Sequence, residues 1–251
     1  MNSTSHQNKF NQQPDLQRST LLVLIVILFV VFLLQSFVYV FYLFTFSKEN
    51  AFIHFLNDIQ SNVVLPLQAN EFLKKPWTLV THMFYHAESW ELFGNIIWLG
   101  VFGYFFQRVT NHKKIIPLFI YGALGGAAAI ILINLIPAIS ITQTNISGAS
   151  AGIMAIAIAT TVLASNEKIF AMIKGGISFW IITDVYVLIE ITVHWSSGLF
   201  IADVAGGITG FFFAFFLKRG FDWSIGMNSF FAWINNLFHP ATDMKKANED
   251  S

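Results

Sequence analysis

The sequence predicts an all-α membrane protein whose chain crosses the bilayer six times. Of its 251 residues, 55% are hydrophobic, only 11% are charged and 28 are phenylalanine. A soluble globular domain has about 25% charged residues, so this composition excludes that class. A helix needs roughly 20 apolar residues to cross the hydrocarbon core. Runs of about that length predict spans at 21–46, 90–106, 115–136, 150–164, 177–193 and 199–217.

The basic residues near the ends of the spans predict the orientation of the chain. The connections 137–147 and 194–198 contain neither lysine nor arginine. The connections after the second, fourth and sixth spans contain Arg108, Lys113, Lys114, Lys168, Lys174, Lys218 and Arg219. Short cytoplasmic loops are enriched in these residues. We therefore expect a multi-pass integral membrane protein of a bacterial inner membrane, with both termini in the cytoplasm.

Outside the spans the chain predicts short flanking segments around one membrane domain, residues 21–219. Residues 1–20 form a polar tail of disordered composition, and residues 241–251 form a second polar tail. The segment 220–240 is rich in aromatic residues, and residues 51–67 have apolar positions at helical spacing. Both are expected to be helices lying in the membrane interface. The chain has no cysteine, which excludes disulfides and thiolate metal sites.

Four polar residues are predicted to lie at one depth in the membrane. Glu91 and Asn95 are four residues apart and share a face of the second span. Ser150 begins the fourth span, and Asp203 lies about one turn into the sixth. Polar groups inside a membrane are costly and usually face the interior of the bundle or a watery cavity. We therefore expect these four side chains to form a site.

Small residues predict that the fourth and sixth spans pack closely. One stripe comprises Asp203, Gly206, Gly207 and Gly210, and the other comprises Gly148, Gly152, Ala155 and Ala159. Such stripes let two helix backbones approach each other in a membrane. The expected packing has Ser150 facing Asp203.

These residues resemble those of the rhomboid intramembrane serine proteases. The resemblance covers roughly residues 21–217 and rests on the six-span order, the Gly-Ala-Ser at Ser150 and the glycine pattern from Gly206 to Gly210. It implies a six-helix rhomboid-like bundle that cleaves transmembrane substrates with a serine–histidine dyad and no cofactor. It further implies that Ser150 is the nucleophile and that Asn95 helps to form the oxyanion hole.

The sequence departs from the rhomboid pattern at both histidines. Asp203 occupies the position of the catalytic histidine, and Glu91 replaces the histidine of the H-x-x-x-N pattern that ends at Asn95. Met154 stands where a tyrosine often packs against that histidine. A further histidine, at the start of the second span, does have a match in His86.

One hypothesis keeps the enzyme active by means of carboxyl groups. Serine needs a base beside it, and burial together with a neighbouring like charge can move a carboxyl pKa toward neutrality. Asp203 would then be the general base for Ser150, and a protonated Glu91 would donate to the oxyanion with Asn95. This division of roles resembles the chemistry of the sedolisin proteases, which are unrelated in fold, and predicts activity that rises toward acid pH.

Two other hypotheses follow from the same substitutions. In the first, the chain is an inactive pseudoprotease that binds transmembrane helices. In the second, a displaced histidine serves as the base: either His194, four residues after Glu190, or His82 or His86 before the second span.

Two remaining classes have less support in the sequence. Asp184 within the fifth span could mark an ion path, but the chain lacks the repeated halves typical of transporters. The G-x-S-x-G pattern around Ser150 also occurs in soluble α/β hydrolases, but that reading requires strands, and the apolar runs here have helical length. The expected partners are transmembrane protein substrates or clients and the lipid bilayer, with no nucleic acid, cofactor or metal.

Overall fold

A computed structural model describes residues 20–136, 141, 143–165, 167–169 and 176–238. The helices are α1 (Thr20–Thr45), α2 (Lys48–Phe55), α3 (Ser61–Val63), α4 (Ala69–Lys74), α5 (Thr78–Thr81), α6 (Ser89–Val109), α7 (Ile115–Asn134), α8 (Ser150–Leu163), α9 (Phe179–His194), α10 (Phe200–Lys218) and α11 (Ser224–Phe238). The short strands are β1 (Leu65–Pro66), β2 (Asn145–Ile146), β3 (Lys168–Ile169) and β4 (Ile177–Ser178). The predicted tails lie outside the described residues, apart from Thr20.

Each predicted span coincides with one helix, and the boundaries differ by three residues or fewer. The helices in question are α1, α6, α7, α8, α9 and α10. Three segments among the described residues are long and apolar enough to cross a membrane, namely Thr20–Thr45, His112–Asn134 and Phe200–Lys218. The chain is therefore an α-helical integral membrane protein, whereas the number of six crossings stays a prediction.

Helix α8 is the centre of the bundle. Most of its residues between Ala151 and Thr160 are buried, because it packs against α6, α7, α9 and α10. A helix in this position cannot face lipid along much of its length, which explains why it is short and rich in alanine. Its first residue, Ser150, is only half-buried. The bundle thus holds the start of α8 in place while leaving that serine partly accessible.

The predicted close packing of α8 on α10 is confirmed by two glycines. A Cβ atom on Gly206 would lie 2.2 Å from the carbonyl oxygen of Ala151, and one on Gly210 would lie 2.1 Å from that of Ala155. Both distances are far below van der Waals contact. The stripe predicted on α8 needs one correction, because Gly152 packs against Phe119 of α7 and Ala151 takes its place facing α10.

The connection between α1 and α6 is tied to the segment that precedes α8. Strands β1 and β2 pair antiparallel, with Leu65 opposite Ile146, and the Leu67 N–H donates to the carbonyl of Thr144 over 3.0 Å. The Gly148 N–H donates to the carbonyl of His82 over 3.0 Å. These contacts fix the approach to Ser150, and hydrophobic periodicity did not predict the strands because each has only two residues.

The two predicted interfacial segments are both helical. Residues Lys48–Phe55 and Ser61–Val63 form α2 and α3, joined by one π-helical turn at Leu56–Gln60. Helix α11 follows α10 and exposes most of its apolar side chains, among them Trp233. Their position in the membrane interface stays a prediction.

Candidate functional site

The start of α8 presents unpaired backbone donors next to Ser150. Gly148 has a φ of +100°, a conformation that favours glycine, and Ala149 is the N-cap of the helix. The Ile153 N–H is the first to bond within the helix, to the carbonyl of Ala149 over 3.0 Å. The N–H groups of Ser150, Ala151 and Gly152 precede it and have no acceptor within the helix. The N-terminus of α8 therefore favours a negative charge beside Ser150.

Ser150 lines a small cavity of about 90 Å³ between α6, α8 and α9, in which several polar side chains meet. The cavity is lined by Trp90, Glu91, Gly94, Asn95, Trp98, Ser150, Ile189, Glu190, Val193 and His194. Three of the predicted site residues, Glu91, Asn95 and Ser150, therefore meet there. Glu190 and His194 also line this cavity. The sequence had suggested His194 only as a possible displaced base, with Glu190 four residues before it.

Asp203 is connected to this cavity through His194. Its carboxyl group is buried, with a side-chain exposure of 1%, and its Oδ2 accepts a hydrogen bond from Nδ1 of His194 over 2.6 Å. Among the described residues, no hydrogen bond joins the Ser150 hydroxyl to Asp203. The carboxylate at the position of the rhomboid histidine thus has an imidazole as its partner.

The turn between α9 and α10 brings His194 and Asp203 together. The Ser197 hydroxyl donates to the His194 carbonyl over 2.9 Å and accepts from the Leu199 N–H over 3.3 Å. Gly198 has a φ of +79°, which a glycine adopts without strain. Only residues 195–199 connect α9 to α10, so the end of α9 lies near the start of α10. This short connection was the signal in the sequence that His194 and Asp203 lie near each other.

Glu190 lies one helical turn before His194, and its Oε2 is 3.7 Å from Nδ1. One ligand atom each from Glu190, His194 and Asp203 can be chosen within 4.8 Å of one another, a spacing compatible with a cation. Two ligands of a tetrahedral zinc ion, however, are separated by about 3.3 Å, given metal–ligand distances near 2.0 Å. The 2.6 Å contact between His194 and Asp203 is that of a charge-assisted hydrogen bond, and we assign it as one.

Asn95 is held by His86 from the connection before α6. Its Nδ2 donates to Nε2 of His86 over 3.0 Å, and both residues are buried. Burial lowers the pKa of His86 to about 4, so its ring is neutral at physiological pH and Nε2 is an acceptor. An amide nitrogen has two N–H groups. One is used by His86, and the second is available to a group bound beside Ser150.

Glu91 packs against the glycine that precedes the serine. A Cβ atom on Gly148 would lie 2.4 Å from Oε1 of Glu91, so any larger residue would displace this carboxyl group, and the φ of +100° also favours glycine here. Glu91 also lies close enough to His194 for an electrostatic interaction. The carboxyl group is therefore placed between the start of α8 and the end of α9.

Sequence reasoning missed Tyr186, which is fully buried on α9. Its hydroxyl donates to the carbonyl of Ser150 over 3.4 Å, and its ring contacts Trp98 with centroids 5.0 Å apart. No motif marked this tyrosine. The other candidates lie elsewhere: His82 bonds the Thr78 carbonyl through Nδ1 over 2.9 Å, and Asp184 is on the exposed face of α9.

Comparison with protein families identifies the class to which this bundle belongs. The Rhomboid domain family model matches residues 73–220, which include the whole cavity and both partners of the His194–Asp203 pair. The chain therefore belongs to the rhomboid family, as its resemblance predicted. No curated protein matches the sequence.

Proposed function

We propose that the protein is a rhomboid-type intramembrane serine endopeptidase with Ser150 as its nucleophile. The observation that carries this proposal is the position of Ser150, at the first turn of α8 and in one cavity with Asn95 and Glu91. Serine proteases need a hydroxyl, a base and donors for the oxyanion. All three kinds of group lie within or beside this cavity.

The proposed reaction begins with attack of Ser150 Oγ on the scissile carbonyl carbon, with the hydroxyl proton passing to a base. The carbonyl electron pair moves onto the oxygen, which becomes an oxyanion. The Ser150 N–H and the second amide N–H of Asn95 are the proposed donors to it, and a protonated Glu91 is a third. Fixed donors of this kind usually contribute about 10²–10³ in rate each.

The proposed substrate is a transmembrane segment that reaches the cavity from the lipid. An apolar groove of about 840 Å³ lies between α6 and α9, and Trp98 lines both the groove and the cavity. The lining of the groove is almost wholly apolar. A transmembrane helix has no water shell in the bilayer, so it could move from lipid into the groove without a cost of dehydration. Local unwinding of the segment would then present a peptide bond to Ser150.

The second candidate function is that of a pseudoprotease that binds transmembrane helices. Its support is that, among the described residues, the Ser150 hydroxyl has no hydrogen bond to a base, while His194 is already paired with Asp203. In this function the groove between α6 and α9 would hold a client helix without cleavage.

Labelling by a fluorophosphonate probe separates the two candidates. The probe phosphorus bonds to an activated serine oxygen and releases fluoride, so labelling reports activation and needs no known substrate. We expect the purified full chain in liposomes to be labelled between pH 4 and 8, and Ser150→Ala to abolish the label. The Ser36→Ala variant is the control, because its hydroxyl donates to the Phe32 carbonyl within α1 over 2.8 Å, and it should label like the native chain. A folded native chain without label at any pH would favour the pseudoprotease.

A further inference from the structure

The hydrogen bond between His194 and Asp203 uses a specific nitrogen of the imidazole. Nδ1 donates to Oδ2 of Asp203, so in the neutral ring the proton lies on Nδ1 and Nε2 carries the lone pair. A buried carboxylate fixes the tautomer of a catalytic histidine in the same way in serine proteases of unrelated folds. Asp203 is 1% exposed, so water cannot replace His194 as its partner.

We propose that His194 is the general base and acid for Ser150, and that Asp203 is a positioning residue that acts through His194. This inference rests on the proposed function. It assigns a triad of Ser150, His194 and Asp203 from helices α8, α9 and α10. In the rhomboid pattern the catalytic histidine lies at the position of Asp203 on α10. In this proposal the base, His194, lies on the preceding helix α9, and a carboxylate occupies position 203.

The cavity supplies the contact that the triad requires. Ser150 and His194 line the same space of about 90 Å³, which is room for about three waters at the density of the liquid. A base can take the hydroxyl proton directly or through one water, and such hydrogen bonds often form only when substrate is bound. Asp203 is not among the residues that line the cavity. His194 is therefore the better placed of the two to reach the serine.

The surroundings of His194 favour the cation that forms during the reaction. Three carboxyl groups face the imidazole: Glu190 on its own helix, Asp203 on α10 and Glu91 on α6. An imidazolium is stabilised by ion pairing with the buried Asp203 carboxylate, 2.6 Å away, in a medium of low dielectric constant. Asp203, by contrast, lies behind His194 and does not line the cavity that holds Ser150.

The proton balance of the proposed cycle is simple. Nε2 of His194 takes the Ser150 proton as the Oγ–C bond forms, and returns it to the leaving amine as the peptide C–N bond breaks. Water then attacks the acyl ester and gives one proton to Nε2. That proton returns to Oγ when the ester bond breaks, and the new carboxyl group leaves.

The experiment compares fluorophosphonate labelling rates and cleavage of a transmembrane reporter in liposomes from pH 4 to 9. The variants are Ser150→Ala, His194→Ala and Asp203→Asn, with His54→Ala and Asp184→Asn as exposed controls. We expect His194→Ala to lose at least 100-fold of the rate, which is the lower range for general acid–base catalysis. The native rate should rise with pH as the imidazole loses its proton. Asp203→Asn should reduce the rate and move the midpoint of that rise to lower pH, because it removes a negative charge.

The outcomes are distinguishable from one another. A native chain that does not label at all removes the proposed function itself. Labelling that depends on Ser150 but persists in His194→Ala, or a native rate that rises toward pH 4, overturns the role of His194 and leaves the proposed protease standing with a different base. If His194→Ala does not fold, the pH profile of the native chain decides. Loss of activity with a chelator and its recovery with zinc would also overturn the triad, because the three side chains would then be metal ligands.

Discussion

The Asn95 amide donates to Nε2 of a neutral His86 that is buried beneath the start of α6. This contact orients one of the two amide N–H groups toward the connection before α6 and so determines where the other can point. His86 therefore acts on the proposed oxyanion site without touching it.

Replacement of His86 by phenylalanine should impair catalysis more than substrate binding. The amide of Asn95 would lose its acceptor and rotate, so the second N–H would no longer be fixed. We expect kcat to fall at least about tenfold, less than the 10²–10³ for outright loss of an oxyanion donor, with KM nearly unchanged. Steady-state cleavage in liposomes measures this, with Asn95→Ala as the reference for complete loss. An unchanged kcat in a folded His86→Phe variant would mean that Asn95 does not need this contact.

His82 and His86 should each contribute stability that is lost as the pH falls from about 6.5 to about 4. Burial lowers the pKa of His82 to about 4 and that of His86 to about 4, whereas the usual value is 6.5. At these two positions the unfolded chain binds more protons than the folded chain in this window, so their contribution to stability rises with pH through it. Each histidine accounts for up to about 3 kcal/mol, since one unit of pKa is 1.36 kcal/mol.

Thermal unfolding in detergent at a series of pH values measures this dependence. The variant His82→Gln removes one titrating group and should make the slope between pH 4 and 6.5 visibly shallower. His54→Gln replaces an exposed histidine and should leave the slope as it is. A folded His82→Gln variant with the same slope as the native chain would show that the His82 ring does not remain neutral in the folded state.

Gly206→Ala and Gly210→Ala should each destabilise the bundle. The new methyl group would overlap a backbone carbonyl of α8, at 2.2 Å in one case and 2.1 Å in the other, and neither backbone can move without displacing its helix. Overpacking of a core usually costs about 1–3 kcal/mol. Gly100→Ala is the matched control, because a Cβ there meets nothing within 4 Å and alanine favours the helix. Unfolding midpoints should fall for the first two variants and stay or rise for Gly100→Ala.

Asp222→Ala should release the start of α11. One carboxylate oxygen pairs with Lys114, and the other accepts from the Ser224 N–H over 3.0 Å and from its hydroxyl over 2.6 Å. The substitution removes the ion pair with Lys114 and both hydrogen bonds to Ser224 at the start of α11. The local free energy of unfolding should fall by about 1–3 kcal/mol. Trypsin should then cleave faster after the exposed Arg219. Asn228→Ala is the control, since its amide makes an exposed bond to the Lys113 carbonyl over 3.1 Å. Equal cleavage rates for the two variants would contradict this account.

The sequence predicted the helices well because their signal is local. Apolar runs are long and the polar breaks between them are sharp, so a span expected at 199–217 is observed as Phe200–Lys218. The packing of Gly206 and Gly210 on α8 followed from the spacing of small residues. The orientation of Gly152 did not, because its partner Phe119 belongs to a third helix and spacing within two helices gives no information about a third.

The sequence predicted some members of the candidate site but not the contacts that connect them. Ser150, Glu91 and Asn95 meet as expected, since depth in the membrane follows from position along a helix. The pairing of Asp203 with His194 depends on how the turn between α9 and α10 closes, and the bond from Asn95 to His86 depends on a connection with no periodic pattern. The short connection places His194 and Asp203 near each other, but the contacts themselves arise from tertiary packing, which periodicity and spacing do not show.

The contact of Gly206 with the Ala151 carbonyl sets the position of α10 independently of the side chain at position 203. The glycines fix where the α10 backbone passes the start of α8, and they do so whatever side chain stands one turn earlier. An imidazole and a carboxyl group can therefore be exchanged at that position while the helix axes stay where they are. The glycines thus hold the shape of the bundle independently of position 203, so that under the proposed mechanism the side chain there affects which helix supplies the base and not where the helices lie.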